Sequence, residues 1–502
     1  MQTTGDPGSI VKEISFVDTS LRDGAQSLWA TRMTTAQMLP IVPILDEAGF
    51  YAVDFMGPAQ FDACIRYLRE DPWERIRLVT AAMPRTPLTG WIRGKSMTSF
   101  NIVPDAVIDL WIKRCVANGL RRFMVFDALH DWDNLETSVK TAKGEGAEVA
   151  VALVYTLDHV HTDAYYADKA REMVTRLKPD RVWIKDAAGL LTVDRTRTLV
   201  PAVKNLIGRI PLEMHSHCTT GLGPLVCLES VKLGVETLHT CVSSLANGPS
   251  HPSIETMIRN LPSLGYTSRI DERAVKTISD HFRYVARREG KPIWAPVEYD
   301  ASQYVRQVPG GMISNLHFLL SQRGMADRLE EVIEEIGLIR QEWGHPVMIT
   351  PLSQIMATQA VLNISMGERY KTVTDEAIRY LLGHYGKPPA LVDPKVLDRV
   401  TGLPEARKFL RWEQPQPTVA ELRKQIGRPN ISDEELVLRM LFPEEQVDAT
   451  LAAGPIQTAY PSGHTPALAL IQELTRRAEY ASIEIRKGNF RLSLRRGKEE
   501  RT

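Results

Sequence analysis

Short apolar runs alternate with longer amphipathic segments from Glu13 to about Asn260. The runs have the length and composition of buried strands, which we predict at residues 14–17, 51–55, 76–82 or 88–92, 122–126, 148–154, 181–184, 212–215 and 236–239. Strands separated by helices favour a parallel sheet. Eight such units in about 250 residues predict an α/β fold with a closed (β/α)₈ TIM barrel over residues 13–265.

Glycines mark the ends of the helices predicted between these strands. Gly49, Gly119 and Gly234 each follow a segment with helical spacing and precede a strand. Helices commonly end on a left-handed residue, a conformation that glycine adopts without steric cost. The regular placement of these glycines supports one kind of βα unit repeated around the barrel.

The alternation stops after about residue 262, and the rest of the chain has a different organisation. Helical spacing at 273–289, 327–343, 354–365 and 374–385 predicts a mainly helical funnel domain over residues 266–447. Residues 448–465, rich in Ala, Gly, Pro and Thr, are predicted to be a linker. Residues 466–497 predict a helix at 466–478 and a β-hairpin about Lys487-Gly488-Asn489. This small unit buries little surface alone, so we expect it to dock on another surface.

Composition and charge narrow the class of protein. With 61 Lys+Arg against 61 Asp+Glu, the chain has no excess of cations to displace counterions from phosphates, so we expect no nucleic-acid binding. The chain has no apolar run of the ~18 residues that a membrane span needs, and no signal-peptide pattern. The five scattered cysteines predict neither disulfides nor a C-x-x-C metal site. We therefore expect a soluble, cytoplasmic protein without a membrane span.

Polar residues follow several predicted strands at the end where a (β/α)₈ barrel carries its active site. They are Asp18 to Gln26 after the first strand, Asp127 after the fourth, Lys185 and Asp186 after the sixth, and His215 and His217 at the seventh. Because the strands are parallel, we expect these side chains at one mouth of the barrel.

His215 and His217 are two residues apart at a strand end, which places both imidazoles on one face. With the carboxylate of Asp23 they offer the ligand types of Zn²⁺, Mn²⁺ or Co²⁺. The alternative is a pair of hydrogen-bonded histidines without a metal. Cys218 is a possible additional ligand, but we interpret it as a packing residue.

Lys185, Arg22 and Arg93 admit more than one interpretation. Lys185 is a surface residue, a partner of Asp186, or, if buried, a Schiff-base lysine or a lysine that reacts with CO₂ to form a metal-binding carbamate. Each arginine binds a substrate carboxylate or forms a structural ion pair. Two arginines beside a divalent cation indicate an anionic, carboxylate-bearing substrate.

The ordered motifs together resemble a known family. They are residues 21–32, Asp71-Pro72-Trp73-Glu74-Arg75, Arg93-Gly94, Val125-Phe126-Asp127-Ala128, residues 184–191, His215-Ser216-His217, Val308-Pro309-Gly310-Gly311-Met312 and Ile349-Thr350-Pro351. The chain is similar over about residues 13–447 to the carboxyltransferase component of biotin-dependent enzymes acting on pyruvate. These enzymes are pyruvate carboxylase, the oxaloacetate decarboxylase α subunit and the 5S subunit of transcarboxylase.

The resemblance implies a role for each candidate residue. Asp23, His215, His217 and an N-carboxylated Lys185 would hold the divalent metal ion. Arg22, Gln26 and Arg93 would bind the 2-oxo acid and its enolate. Asp62 and Asp127 would support the pocket. Thr350 would transfer a proton between the substrate methyl group and biotin.

The sequence departs from the family in the wall of the pocket. Met56-Gly57-Pro58-Ala59-Gln60 stands where the family has Trp-Gly-Gly-Ala-Thr, Phe100 replaces a tyrosine, Lys95-Ser96 replaces Ala-Asn, and His130 replaces an asparagine. Pyruvate or oxaloacetate is the favoured substrate, and a different 2-oxo acid or enolisable acceptor is the alternative. A metal-dependent aldolase or Claisen-type lyase is the rival enzyme class.

The resemblance also implies partners. The sequence has no Met-Lys-Met biotinylation motif and no Gly-rich ATP-grasp segment, so we expect a separate biotin carboxyl carrier protein and a biotin carboxylase subunit. Residues 469–494 are similar to the segment that precedes the biotinyl domain of carrier proteins, which indicates a docking element. A homodimer within a larger complex is expected from the family alone.

Overall fold

The computed structural model describes residues 12–98, 100–307, 316, 320–321, 324–461, 471, 474, 482–487 and 490–495. Eight parallel strands close into a barrel in chain order, and the last pairs with the first. They are β1 (Ser15–Asp18), β2 (Ala52–Met56), β3 (Leu88–Arg93), β4 (Arg122–Phe126), β5 (Glu148–Val154), β6 (Arg181–Asp186), β7 (Leu212–Ser216) and β8 (Thr237–Thr240). The predicted (β/α)₈ barrel is confirmed.

Two runs are predicted as alternatives for the third strand, and the later one forms it. β3 is formed by Leu88–Arg93, whereas the run at 76–82 belongs to the helix Pro72–Ala82. The side chain of Asp71 accepts a hydrogen bond from the backbone N–H of Trp73 at the start of this helix. Asp followed by Pro is a typical helix start, so the local sequence favours the helix here.

Helices connect the strands and pack around them in one continuous core. The α-helices of this part are Ala25–Trp29, Thr35–Met38, Val42–Glu47, Pro58–Ala63, Pro72–Ala82, Asp105–Ala117, Glu136–Gly144, Asp163–Leu177, Val193–Ile207, Gly223–Lys232 and Ile254–Asn260. Shorter turns of π- or 3₁₀-helix occur at Ser20–Gly24, Cys64–Leu68, Trp132–Asn134, Ser243–Leu245 and Leu261–Leu264. A short parallel pair, Lys12–Glu13 with Tyr266–Thr267, lies apart from the barrel sheet.

The glycines that follow the helices have the expected conformation. Gly49, Gly119 and Gly234 have φ values of +89°, +113° and +91°. At Gly119 a Cβ atom would also lie 2.2 Å from Cγ2 of Thr80, so a larger residue would be excluded by the helix that precedes β3.

The chain after the barrel is mainly helical, as predicted, and its helices contact the barrel on more than one side. Its helices are Glu272–Glu289, Ser302–Arg306, Leu329–Glu342, Leu352–Met366, Asp375–Leu381, Pro394–Thr401, Val419–Gln425, Asp433–Leu441 and Glu444–Ala452, with 3₁₀ turns at Ala326–Arg328 and Pro404–Lys408. The helices between 329 and 401 share a core with Trp91, Phe126 and Trp183 of the barrel. The helices between 419 and 452 pack instead into the core on the outside of the barrel.

The domain limits at 265, 447 and 465 remain sequence predictions. Within the predicted linker, the last helix runs to Ala452, and Ile456 is buried with its N–H donating to Glu74. Apart from residues 471 and 474, the predicted helix at 466–478 lies outside the described residues, as do the turn Gly488-Asn489 and the motif at 308–312. The strands of the hairpin, Ser482–Lys487 and Phe490–Arg495, pair antiparallel. In the described part of the chain we find no helix long and apolar enough to cross a membrane.

Candidate metal and substrate site

Four predicted site residues meet at the carboxyl ends of the barrel strands. Asp23 lies in the turn Ser20–Gly24 after β1, Lys185 lies near the end of β6, and His215 and His217 lie at the end of β7 and just beyond it. All four are buried, with at most 6% of any of them exposed. The parallel strands thus bring together residues from distant parts of the sequence.

His251 adds a third imidazole to this cluster. It lies in the loop after β8 and is fully buried. Oδ2 of Asp23 lies 3.3 Å from Nε2 of His215, 3.6 Å from Nε2 of His217 and 3.2 Å from Nε2 of His251. One ligand atom from each of these four side chains lies within 4.8 Å of the others.

The hydrogen bonds of Nδ1 determine which tautomer His217 and His251 adopt. Nδ1 of His217 lies 2.6 Å from the carbonyl oxygen of Pro249, and Nδ1 of His251 lies 3.3 Å from that of Ser216. A carbonyl oxygen only accepts, so in the neutral rings Nδ1 carries the proton and Nε2 carries a lone pair. Burial lowers the pKa of His251 to about 3, so this ring is neutral at pH 7.

His215 adopts the same tautomer, with the proton on Nδ1, because of its hydrogen bond with a neighbouring histidine. Its Nδ1 lies 2.9 Å from Nδ1 of His239, whose Nε2 lies 2.8 Å from Oε2 of Glu213. Burial lowers the pKa of both histidines. Because the carboxylate accepts, neutral His239 donates from Nε2 and accepts at Nδ1, and His215 donates from Nδ1. The Nε2 lone pair of His215 therefore faces Asp23.

Three imidazole lone pairs and a carboxylate oxygen repel one another unless a cation lies between them. Imidazole nitrogen and carboxylate oxygen are the donors that Zn²⁺, Mn²⁺ and Co²⁺ accept. The donor set of Asp23, His215, His217 and His251 therefore fits the divalent metal ion expected from the sequence. Sγ of Cys218 packs instead towards Gly223 and does not belong to the cluster of described ligand atoms.

Lys185 lies directly beside this cluster, with its Nζ 3.3 Å from Nε2 of His215. Three aromatic rings surround the amine, at 4.5 Å for Trp91, 5.1 Å for Trp183 and 5.5 Å for Phe126. Burial lowers the pKa of Lys185 to about 7, so a large fraction of the amine is neutral at physiological pH. The interpretation as an exposed surface lysine is therefore excluded.

Arg22 is held in a rigid position next to the ligand carboxylate. Its Nε donates to Oδ2 of Asp54 at 2.5 Å, and its Nη2 donates to Oδ2 of Asp23 at 2.6 Å. Its guanidinium carbon lies 3.6 Å from the centre of the Trp91 ring, and Nη1 lies 3.4 Å from Oε1 of Gln26. A fixed cation here is suited to a carboxylate or a developing oxyanion at the barrel mouth.

Arg93, the last residue of β3, donates from Nε to the carbonyl oxygen of Ser96 at 2.8 Å. Burial lowers the pKa of Arg93 to about 10, although the negative charge of Asp62 acts in the opposite direction. Asp62 is itself half-buried and forms an ion pair with Arg66 at 2.6 Å. Asp62 therefore acts on Arg93 through its charge.

A pocket between the barrel and the helices above it brings Thr350 to the site. Its wall includes Arg93, Lys95, Phe126, Asp127 and Thr350. Phe126 also contacts the amine of Lys185, so it separates the pocket from the ligand cluster by one side chain. Of the predicted substrate-binding, pocket and proton-transfer residues, Arg93, Asp127 and Thr350 line this pocket. The lining does not include Arg22, Gln26 or Asp62.

Asp127 has mainly structural contacts. It accepts hydrogen bonds from the backbone N–H groups of Leu129 and Asp131 at 2.9 and 3.2 Å and from Nδ2 of Asn134 at 3.1 Å. Burial raises its pKa to about 6. The side chain organises the loop after β4, and one edge of it reaches the pocket.

The sequence analysis missed His251 and Asp54. His251 is separated from the end of β8 by a loop, so it is absent from a search of residues that directly follow strands. The turn Asn247-Gly248-Pro249-Ser250 before it was the available signal, because it returns the chain to the barrel mouth. Asp54 was detectable as a carboxylate inside an otherwise apolar strand.

Comparisons with known proteins identify the family of the chain. A family model described as "Conserved carboxylase domain" matches residues 304–491. A pyruvate carboxylase subunit of Methanocaldococcus jannaschii is 40% identical over 438 residues, which cover 86% of this chain and 76% of that protein. The 2-oxoglutarate carboxylase large subunit of Hydrogenobacter thermophilus is 33% identical over 458 residues, covering 89% of this chain and 70% of that protein.

The fold is that of a carboxyltransferase domain. The carboxyl transferase domain of Rhizobium etli pyruvate carboxylase, solved with pyruvate, superposes with a TM-score of 0.79 at 24% identity, over 88% of this chain and 77% of that chain. From its similarity to the curated relatives, the chain belongs to the carboxyltransferase family of biotin-dependent carboxylases. It is thus a biotin-dependent carboxyltransferase, and the rival class of aldolases and Claisen-type lyases is not supported.

Proposed function

We propose that the protein transfers a carboxyl group between carboxybiotin and the enolate carbon of a 2-oxo acid, with pyruvate and oxaloacetate as the first candidates. The observation that carries this proposal is the convergence of three imidazole lone pairs on Asp23, directly beside Arg22. The name of the relative from Methanocaldococcus jannaschii supports pyruvate as the acceptor.

Asp23, His215 and His217 would hold the metal ion, and His251 would add a further nitrogen ligand. Lys185 would add an oxygen ligand after its neutral amine reacts with CO₂, forming a carbamate and releasing a proton; its position 3.3 Å from His215 supports this. Several nitrogen ligands favour zinc, with manganese or cobalt as alternatives. A bound divalent cation supplies Lewis-acid stabilisation of an enolate oxygen.

The other predicted residues would handle the substrate and its protons. Arg22, Gln26 and Arg93 would bind the carboxylate and the enolate of the 2-oxo acid, because fixed guanidinium groups stabilise negative charge that develops during the reaction. Asp62 and Asp127 would support the pocket. Thr350 would transfer a proton between the substrate methyl carbon and biotin from its place in the pocket wall.

Lys95 favours a second candidate, a dicarboxylic 2-oxo acid. Lys95 lines the same pocket as Arg93 and Thr350, so the pocket wall carries two cationic side chains. A second carboxylate on the substrate would pair with the additional ammonium group. A relative named 2-oxoglutarate carboxylase large subunit supports this candidate.

The test is carboxyl transfer from a carboxylated biotin carrier to a panel that includes pyruvate and 2-oxoglutarate. We expect turnover that is lost on metal chelation and in Thr350→Ala. If the substrate is dicarboxylic, Lys95→Ala should lower kcat/KM for 2-oxoglutarate by about tenfold or more and leave pyruvate unchanged. Absence of turnover with every 2-oxo acid, or full activity of Thr350→Ala, would contradict the proposal.

We further propose that the protein acts with a separate biotin carboxyl carrier protein and a biotin carboxylase subunit, as a homodimer within a larger complex. The names of the relatives, which describe them as subunits, support this arrangement. In the C-terminal hairpin, Ile483, Ile485, Leu492 and Leu494 are half-buried and alternate with exposed residues, which supports a role in docking.

A further inference from the structure

The interior of the barrel below the metal ligands contains buried charges. Glu213 on β7 and His239 on β8 are both fully buried. Oε1 of Glu213 accepts a hydrogen bond from Nη2 of Arg122 at 2.5 Å and another from Nε of Arg181. Barrel interiors are usually filled by branched apolar side chains, and buried charges are costly. This layer therefore calls for a reason other than packing.

The buried layer connects to the ligand cluster at one residue. Glu213 and His215 are two residues apart on β7, so their side chains point to the same interior face. His239 lies between them, with Nε2 at 2.8 Å from Glu213 and Nδ1 at 2.9 Å from Nδ1 of His215. Its ring also stacks on Trp183, with an interplanar angle of 21°. His239 is thus held both by a hydrogen bond and by packing.

We propose that His239, anchored by Glu213, is a positioning residue that fixes the tautomer and the ring orientation of His215. The inference rests on the proposed metal site. When two Nδ1 atoms face each other, one must donate and the other must accept. Glu213 decides the direction, because its carboxylate only accepts and so takes the Nε2 proton of His239.

This hydrogen bond determines whether Nε2 of His215 is free to bind a metal ion. With its proton held on Nδ1, His215 presents an unprotonated Nε2 to Asp23 and to a cation. Without an acceptor at His239, the proton of His215 is free to occupy Nε2, where it would face the cation and oppose binding. Outer partners of metal-bound histidines typically contribute about 10–100-fold to metal affinity.

The test compares two substitutions of His239 that differ in whether the new side chain can accept the hydrogen bond from Nδ1 of His215. His239→Asn places Oδ1 near the position of Nδ1 and still accepts the proton of His215, whereas His239→Leu fills similar space without an acceptor. By competition with a chelator, we expect Co²⁺ and Zn²⁺ affinity to fall about 10–100-fold in the leucine variant and to stay within about threefold of wild type in the asparagine variant. Equal affinities of the two variants would overturn the inference.

A second readout needs no metal and no activity. In metal-free protein labelled with ¹⁵N-histidine, the signals of His215, assigned from a His215→Gln sample, should report a proton on Nδ1 in wild type and a shift of the proton towards Nε2 in His239→Leu. His281→Leu, at another fully buried histidine, is the matched control for stability. If wild type binds no divalent cation, the proposed function fails while this spectrum still decides the inference; an unchanged tautomer in His239→Leu would overturn it.

Discussion

Asp54 illustrates how a single buried carboxylate orients a functional side chain. It is fully buried in β2, and it accepts hydrogen bonds from Nε of Arg22 and from Nε1 of Trp91. Burial raises the pKa of Asp54 to about 6, although Arg22 acts to lower it. Asp54 and the Trp91 ring together restrict Arg22 to one orientation beside Asp23.

At the residue scale we predict that Asp54→Asn lowers kcat/KM for carboxyl transfer by about 100-fold, because a small displacement of Arg22 is sufficient for such a loss. Metal content should stay unchanged, since Asp54 lies outside the ligand cluster. Steady-state kinetics and metal analysis of the purified protein check both statements.

The control is Glu70→Gln, which removes another buried carboxylate that is paired with an arginine, Arg75, at 2.6 Å. Both substitutions break a buried ion pair, so both should lower stability, but Arg75 donates to Thr35, Met33 and Glu70, none of which is a predicted site residue. Equal activity of the two variants would contradict the role of Asp54.

At the scale of elements, one ion pair joins the loop after β5 to the helix Leu329–Glu342 above the barrel. Asp158 accepts hydrogen bonds from Nδ1 of His161 at 2.8 Å and from Nη2 of Arg340. Burial alone would raise the pKa of Asp158, but His161 and Arg340 lower it below its ordinary value. The helix that precedes the Thr350 segment is thereby attached to the barrel by charge.

We predict that Asp158→Asn destabilises the protein by roughly 3–5 kcal/mol at pH 7, because it leaves Arg340 buried without its partner. The folded pKa of Asp158 is depressed, so its contribution is complete above the unfolded value of about 4 and is lost as the pH falls below it. Thermal unfolding of both proteins from pH 7 to pH 3 should therefore show a Tm difference that shrinks in acid.

Asp180→Asn is the matched control, because Asp180 pairs with Lys143 at 2.8 Å on the exposed surface. An exposed pair of this kind contributes about 1 kcal/mol or less. A Tm difference for Asp158→Asn that is no larger than that of the control, or one that does not depend on pH, would show that the pair does not attach the helix.

At the scale of the whole molecule, the residues between the barrel and the C-terminal hairpin pack against the barrel. The helices from 329 to 401 pack over the mouth and those from 419 to 452 pack on the outside. Ile456 is buried, and the hydroxyl of Tyr460 donates to Glu289 at 2.7 Å. The described chain up to Pro461 therefore has its own contacts with the barrel region.

We predict that truncation after Pro461 leaves Tm and metal content unchanged but removes association with the biotin carrier or carboxylase subunit. The physical reason is that this truncation removes the half-buried apolar residues of the hairpin and spares the contacts of Ile456 and Tyr460. Analytical ultracentrifugation of full-length and truncated protein with each purified subunit measures the effect. Normal assembly of the truncated protein would contradict the docking role.

Much of the architecture follows from local sequence. The strands were predictable because buried parallel strands are short apolar runs, and Asp23, His215 and His217 were predictable because every strand of a (β/α)₈ barrel ends at the same mouth. The family motifs added Thr350 and Lys185. The strands and the residues that follow them depend only on the order of residues along the chain and on periodicity, whereas the roles of Thr350 and Lys185 depend on the resemblance to the family.

Other features depended on the path of the chain in space. His251 joins the ligand cluster because the loop after β8 turns back to the mouth, and Asp54 meets Arg22 because β1 and β2 are neighbours. The tautomer of His215 depends on His239 and Glu213, whose hydrogen bonds cross from one strand to the next. The sequence alone determined the barrel and the kinds of side chain at its mouth. Only the tertiary structure decided which side chains meet and which atom each presents, because distance and hydrogen-bond direction between remote residues are set by packing.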